Sequence, residues 1–388
     1  MPQLRLSVLP LVGEGKAFNL PVQQGWLKLI GPRAPLPSGG FSNQSLMGLT
    51  ADLAAGLPLL TWKQWRALKH QCRTHQAVLA VGDLLPLLLA WASGRRFGFI
   101  GTPKSDYTWS SGPGRSLSDL YHRLKGSEWD PWEWALMRHH RCCLIAMRDR
   151  LTARGLRRHG VPALAPGNPM MDGLAHTNPP AALERCRRIL ILCGSRMPEA
   201  LSNAERLLRC LQAFRSDVPL TLLMATGAQP SAETLEPLLR HLGFRPCPPP
   251  ADALQADSCW VCGVQMLLLG SGRFSRWASW ADVGLATAGT ATEQLAGLGI
   301  PSLSLPGRGP QFTRGFATRQ SRLLGGAVQT CQSPQDLRRR LTALLADATL
   351  RQHLGDIGRA RMGRPGGSQA LAGLVRAQLI TDTGSIKT

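Results

Sequence analysis

The second half of the chain alternates between two periods, and that alternation limits its possible folds more than any single motif does. Short apolar runs, "RILILCG", "PLTLLMATG", "SCWVCGV", "ADVGLAT" and "PSLSLPG", are separated by stretches such as "PEALSNAERLLRCLQAF", "AETLEPLLRHLG" and "TEQLAGLG", in which apolar residues recur at helical spacing. Runs that are apolar throughout suit strands buried on both faces, and helices between them supply the two covering layers. Two further helical patterns, "FATRQSRLLGG" and "PQDLRRRLTALLAD", continue the series. The first half repeats the theme with strand candidates "LRLSVLPLV", "AVLAVGD", "RRFGFIGT" and "CCLIAMRD". Between the halves, "GVPALAPGNPMMDGLAHTNPPAALERC" concentrates Pro, Gly and Asn and marks a boundary. A chain of 388 residues has room for two cores. The expected architecture is therefore α/β with two Rossmann-like doubly wound domains facing a central cleft, where such proteins place ligands. The predicted segments are 1–165, a linker at 166–186, 187–364, and a terminal helix and tail at 365–388.

The longest apolar run, "LLPLLLAWA", is far short of the roughly 20 residues that cross a bilayer, and Pro86 interrupts it. The N-terminus alternates like a strand and has no signal-peptide pattern, so the expected location is cytoplasmic. Ten scattered cysteines fit a reducing compartment. Cys259 and Cys262 have metal or redox spacing but stand in a strand-like run without a second pair, which favours structural thiols over zinc. The balance of 45 Lys+Arg against 24 Asp+Glu gives a net charge of +21, which favours anionic partners: nucleic acid, an acidic membrane surface or phosphorylated substrates. The arginines recur along predicted helices, and no helix-turn-helix, zinc-finger or aromatic RNA-binding signature accompanies them. Nucleic acid is thus the least supported partner.

Three loops at predicted strand ends are suited to chemistry. In "LCGSRMPEA" a strand runs into Gly194 and Ser195, and a helix begins near Pro198. Unpaired N–H groups and a dipole end there suit an anion, with Arg196 as a second phosphate contact. The same residues also describe an ordinary strand-to-helix turn, with Ser195 capping the helix. In "ATAGTATEQ" the small residues around Gly289 let a ligand approach the backbone, Thr290 and Thr292 carry hydroxyls, and Glu293 falls in the first helical turn. A carboxylate there can accept two hydrogen bonds from a vicinal diol such as ribose, or merely complement the helix dipole. The third loop, "PGRGPQFTRGFATRQ", offers Gln311, Arg314 and Gln320 to a sugar or phosphate.

Together, "LCGSR", "ADVGLATAGTATEQLAGLGIPSLSLPG" and "GPQFTRGFATRQSRLLGG" resemble the donor-binding half of GT-B glycosyltransferases, with the nearest likeness to lipid-A-disaccharide synthase and its related proteins. The likeness extends into the first half through "LPSGGF", "AVGDLLPLLLA", "GTPKSDYTW", "RDRLTARGL" and "APGNPMMDGL", and is most specific at Gly289 to Gln294 and at Gly309 to Phe312. It implies a GT-B fold and inverting transfer from a UDP-sugar to a lipid-linked acceptor such as an acylated glucosamine. Donor-binding residues would be Gly194, Ser195, Gly289, Thr290, Thr292, Glu293, Gln294, Gln311, Phe312 and Gln320. Arg196 would offset charge on the departing diphosphate, and Asp83 of "AVGDLL" would be the general base, although its place before "LLPLLLA" also suits a helix N-cap. No metal or other cofactor is expected: the chain lacks an Asp-x-Asp, so helix ends and arginines would neutralise the diphosphate. Set against the resemblance, the family's first strand–loop–helix unit is missing ahead of "LRLSVLPLVGEGKAF", which implies either a start assigned too late or the loss of a loop that normally faces the acceptor.

That departure keeps a second class open, a non-catalytic relative that binds nucleotide sugar or lipid. A UDP-sugar 2-epimerase is disfavoured by the lack of a Thr-Glu-Arg-Pro-Glu segment. Trp129, Trp132 and Trp134 stand beside Arg138, His139, His140 and Arg141, a pairing that suits either a membrane interface or core packing. With the overall charge, it leads to an expectation of peripheral contact with the anionic inner face of a membrane.

Overall fold

The computed structural model describes residues 4–36, 46–111, 117–174, 176–216, 218–250, 254–307 and 313–380. The chain divides into two compact units. Unit 1 comprises Met1–Lys104, Trp129–Pro166 and Leu371–Thr388; unit 2 comprises Ser105–Glu128 and Gly167–Ala370.

The described residues of unit 1 form two parallel sheets. β1 (Ser7–Val8) pairs with β2 (Lys28–Leu29), while β3 (Ala77–Gly82), β4 (Arg96–Gly101) and β5 (Cys142–Met147) pair in that order. The strand expected over "LRLSVLPLV" is only two residues long: Leu4 and Leu6 are exposed, and Pro10 has no N–H to donate. The helix Leu57–Gln71 connects β2 to β3, and its buried Gln64 donates to the carbonyls of Pro10 and Leu11 at 3.3 and 3.1 Å, holding the chain after β1. The core lies on one face of the three-stranded sheet, where Phe97, Phe99 and Ile145 pack with Leu87, Met137 and Leu156. On the other face Gly98 leaves room for Leu79, Leu144 and Leu379, each 3.2–3.3 Å from where a Cβ would stand.

The tryptophan cluster turns inward rather than forming an interfacial belt. Trp129 is fully buried edge-on to Phe99, with centroids 5.5 Å apart, and Trp134 is buried and stacked on His159 at 3.8 Å. Trp132 alone of the three is exposed. The reason lies in the helix Pro131–Met137: its Asp130–Glu133 capping box fixes the entry, and Lys104 donates to both Glu133 carboxylate oxygens at 2.7 and 2.6 Å.

Unit 2 is built on one eight-stranded sheet. Its strands are β6 (Arg187–Leu192), β7 (Leu220–Thr226), β8 (Arg245–Cys247), β9 (Ser258–Cys262), β10 (Gln265–Ser271), β11 (Val283–Ala286), β12 (Ser302–Ser304) and β13 (Val328–Thr330), in spatial order β13-β12-β11-β6-β7-β10-β9-β8. The six strands from β13 to β10 are parallel, and β9 and β8 extend the edge antiparallel. Taken in chain order, the parallel strands lie 3-2-1-4-5-6, the doubly wound arrangement, with the winding direction reversing between β6 and β11. Alternate residues of β6 feed opposite cores. Ile189 and Ile191 pack with Leu207 and Leu208 of the helix Glu199–Gln212, whereas Leu190 and Leu192 pack with Leu295 and Ala296 of the helix Thr290–Gly297. Cys259 and Cys262 likewise belong to opposite faces, so they cannot share an ion; the Cys259 sulfur lies 3.0 Å from that of Cys247, its cross-strand partner.

An excursion from the N-terminal half also belongs to unit 2. Ser105–Glu128 carries the helices Tyr107–Ser110 and Leu117–Lys125 and packs on the helix Arg314–Leu323. Arg322 meets Asp119 at 2.6 Å, Arg319 pairs with Glu128, and the Arg361 guanidinium lies 3.8 Å over the Tyr107 ring. Asp106, buried at its start, accepts the Glu128 N–H at 2.7 Å and so closes the excursion at its base.

Candidate functional site

In an open doubly wound sheet the ligand crevice lies outside the carboxyl ends of the strands where the winding reverses. Here those strands are β6 and β11, whose last residues Leu192 and Ala286 are register partners. Two of the three loops singled out in the sequence leave from these adjacent ends.

The loop after β6 begins with Cys193, whose thiol burial pushes up to about 12, leaving it an inert packing group. Gly194 follows with φ +91, a conformation that favours glycine. Ser195 is exposed and does not cap the next helix, whose N-cap is Pro198; Arg196 is half-buried, and its carbonyl accepts the Ala200 N–H at 2.8 Å. The first helical residue is Glu199, matching the expected start.

The loop after β11 is tied to its neighbour by Thr287, whose N–H and hydroxyl both donate to the Leu192 carbonyl, at 2.8 and 3.2 Å. Gly289 then forms the N-cap of Thr290–Gly297 with no side-chain cap, so the first-turn N–H groups and the positive end of the helix are left to a ligand or solvent. Thr290 is exposed. Thr292 is buried, and its hydroxyl donates to the Ala288 carbonyl at 2.6 Å, within the turn itself. Glu293 is half-buried in the first turn, and Gln294 donates its side-chain amide to the Met170 carbonyl at 2.7 Å. From the helix Arg314–Leu323, buried Gln320 reaches across and donates to the Gly289 carbonyl at 3.1 Å, bracing the turn. Gly194, Ser195, Arg196, Gly289, Thr290, Glu293 and Gln320 are therefore gathered at one edge of one sheet.

Gln311 and Phe312 lie outside the described residues. Asp83 belongs to unit 1, at the carboxyl end of β3, where it occupies the N-cap position of the helix Leu84–Ala92 without a side-chain capping bond.

Two residues at this edge escaped the sequence reading. Thr287 is one, and the threonine ending the quoted strand "ADVGLAT" was its only trace. The other is Asn203, buried on the helix Glu199–Gln212 with neither amide atom hydrogen-bonded among the described residues. It stands against Gly307 of the loop after β12, beside Arg206, which donates to the Pro306 carbonyl at 2.5 Å. An asparagine among Ala200, Ala204, Leu207 and Leu208 on an otherwise apolar helix face was the available signal.

No protein-family model matches this chain, and neither does any curated protein sequence. Solved structures do. A protein assigned as a UDP-N-acetylglucosamine 2-epimerase from Listeria monocytogenes aligns over 97% of this chain and 97% of its own, at 12% identity and a TM-score of 0.53. A UDP-GlcNAc 2-epimerase from Neisseria meningitidis, solved with UDP-GlcNAc bound, aligns over 96% of this chain and 92% of its own, at 14% identity and a TM-score of 0.51. The chain has a GT-B fold. At these identities the likeness is one of architecture, and chemistry has to be argued from the residues.

Proposed function

We propose that this protein is an inverting glycosyltransferase that takes a UDP-sugar donor in unit 2 and a lipid-linked acceptor, of the acylated-glucosamine type, in unit 1. The observation that carries the reading is the arrangement at the β6–β11 reversal: an uncapped helix N-terminus after Gly289, a left-handed glycine at Gly194, and a half-buried carboxylate, Glu293, in the same helical turn. Backbone N–H groups and the helix dipole suit a diphosphate, and small residues allow it to come close. Glu293 would accept the two ribose hydroxyls. Arg196 would stabilise the negative charge that grows on the diphosphate as the bond to the anomeric carbon breaks. Asp83 would take the proton of the attacking acceptor hydroxyl, so that one C–O bond forms as the other is lost and configuration inverts. Helix ends and arginines are proposed to serve the diphosphate without a metal. A lipid-linked acceptor also requires contact with a membrane surface, proposed here to be an anionic inner face.

The test is a transfer assay with labelled UDP-N-acetylglucosamine and a lipid extract, comparing the unmodified chain with Asp83→Asn. Turnover should fall by about a hundredfold or more while donor affinity stays unchanged; equal rates for the two proteins remove Asp83 as the base. A second reading, nucleotide-sugar binding without transfer, is favoured by one observation, the division of the described residues of unit 1 into two small sheets. It predicts UDP binding with no labelled lipid under any condition.

A further inference from the structure

Unit 1 carries a basic and apolar surface that none of the donor loops belongs to. Between Asp52 and Asp106 the sequence contains seven Lys and Arg residues, Lys63, Arg66, Lys69, Arg73, Arg95, Arg96 and Lys104, and a single carboxylate, Asp83. The helix Leu57–Gln71 has no acidic residue at all. Helical spacing places Leu59, Trp62, Lys63, Arg66, Lys69 and His70 on one face, opposite buried Gln64, and all six are exposed. Leu59 and Trp62 are 55% and 49% exposed, which is high for large apolar side chains. The Arg66 guanidinium sits 4.9 Å from the centroid of the Trp62 ring, and a surface pocket is lined by Trp65, Arg66, Lys69, His70 and Arg73.

The helix Leu84–Ala92 carries no charge and exposes Leu84, Leu88 and Trp91, an i, i+4, i+7 stripe. The chain just past the two helices is joined where Arg95 donates to the Cys72 carbonyl at 2.7 Å, and Arg141 donates to the Trp91 carbonyl at the end of the second helix at 3.0 Å. An ordinary solvated helix face mixes charges of both signs and keeps large apolar groups few. This one pairs aromatic and aliphatic tips with cations of one sign, the combination that binds the boundary between headgroups and acyl chains.

We infer that the exposed faces of Leu57–Gln71 and Leu84–Ala92 form a docking surface for an anionic lipid bilayer, with Leu59, Trp62, Leu88 and Trp91 entering the interface and Lys63, Arg66, Lys69 and Arg73 meeting headgroup phosphates. The inference rests on the lipid-acceptor reading for its purpose but not for its evidence. Charge complementarity selects the anionic leaflet. The exposed leucines select lipid over nucleic acid, since phosphate and base contacts would not need them.

The test is sedimentation with vesicles of phosphatidylcholine, with and without phosphatidylglycerol, in low and high salt. The unmodified chain should bind only the phosphatidylglycerol-containing vesicles, and added salt should weaken the binding. Lys63→Glu, Arg66→Glu and Lys69→Glu together should weaken it by about a hundredfold or more, each basic residue near such a surface contributing a factor of about five. Trp62→Ala with Leu59→Ala should weaken it at both salt concentrations. Arg215→Glu with Arg245→Glu, an equal kind of charge change at exposed positions of unit 2, should leave it nearly intact. Equal binding to both vesicle types, or an equal loss in the unit 2 control, overturns the proposal. So does binding of duplex DNA or single-stranded RNA through the same lysines and arginines when no vesicle binds. UDP affinity measured on the same variants should not move, so failure of vesicle binding and failure of the donor-site reading give separate signals.

Discussion

The two units use the same grammar and reach different degrees of closure. In unit 2, β6 has a parallel partner on each side and a helical layer on each face, so Ile189, Leu190 and Ile191 are completely buried. In unit 1, β3 pairs only with β4 among the described residues; Val78 and Ala80 pack into the core, but Leu79 and Val81 on its other face are 41% and 53% exposed. The difference is one of neighbours rather than of sequence, because "AVLAVG" is as apolar as any strand of unit 2. An unpaired, uncharged edge is what natural sheets normally cover or interrupt.

The contrast can be broken most sharply by core truncation. Leu285→Ala, at the centre of the unit 2 sheet and fully buried, should cost about 2–5 kcal/mol, whereas Leu79→Ala should cost about 1 kcal/mol or less because much of its side chain never leaves water. Denaturant unfolding of the two variants checks this; similar losses would mean that the outer face of β3 is covered in solution. Native-state hydrogen exchange should give the same ranking, with amides of β6 and β7 among the slowest in the chain and those of β3 faster. Equal protection would contradict an open edge.

Acid should act on unit 2 through Asp336. The Gln332 backbone N–H, together with Arg339 and Arg340, pulls its carboxyl down to about 2. A carboxylate with a depressed value in the folded state stabilises the fold above its ordinary range, near pH 4, and that contribution disappears as pH falls toward 2. Asp336→Asn should therefore flatten the acid limb of unit 2 unfolding, and an unchanged limb would assign acid sensitivity elsewhere. A smaller effect is expected from Thr287→Val, which removes the hydroxyl bond to Leu192 but keeps the peptide one: about 1 kcal/mol of stability, read by thermal unfolding, with a modest loss of UDP affinity.

Legibility followed the same divide. β6, β7, β11 and β12 and the helices between them were readable because each is a short apolar run flanked by helical periodicity, and burial on both faces enforces that pattern. β10 was not assigned, although "QMLLLGS" supplies a strand of the parallel six; it follows β9 after only Gly263 and Val264, so the two read as one apolar stretch. Sequence order places the excursion Ser105–Glu128 with the N-terminal half, whereas its packing on the helix Arg314–Leu323, the Arg361–Tyr107 contact and the ion pairs to Arg319 and Arg322 join it to unit 2. Trp129 and Trp134 looked interfacial because their basic neighbours are adjacent in sequence. The membrane-suited surface instead arises on Leu57–Gln71, where spacing along a helix, not adjacency, brings Trp62 and Arg66 together. At the site, Gly194, Gly289, Glu293 and Gln320 were legible as loop or first-turn chemistry. Asn203 and Thr287 were not, since their roles depend on which strands lie side by side.

The most direct test of the account is calorimetric titration of UDP, then UDP-N-acetylglucosamine, into the purified chain and into Glu293→Ala. The reading of the β6–β11 crevice predicts saturable binding to the unmodified chain and its loss or strong weakening in the folded variant. Equal affinity in the two proteins would contradict the ribose assignment, and absence of binding by the demonstrably folded chain would contradict the donor site itself.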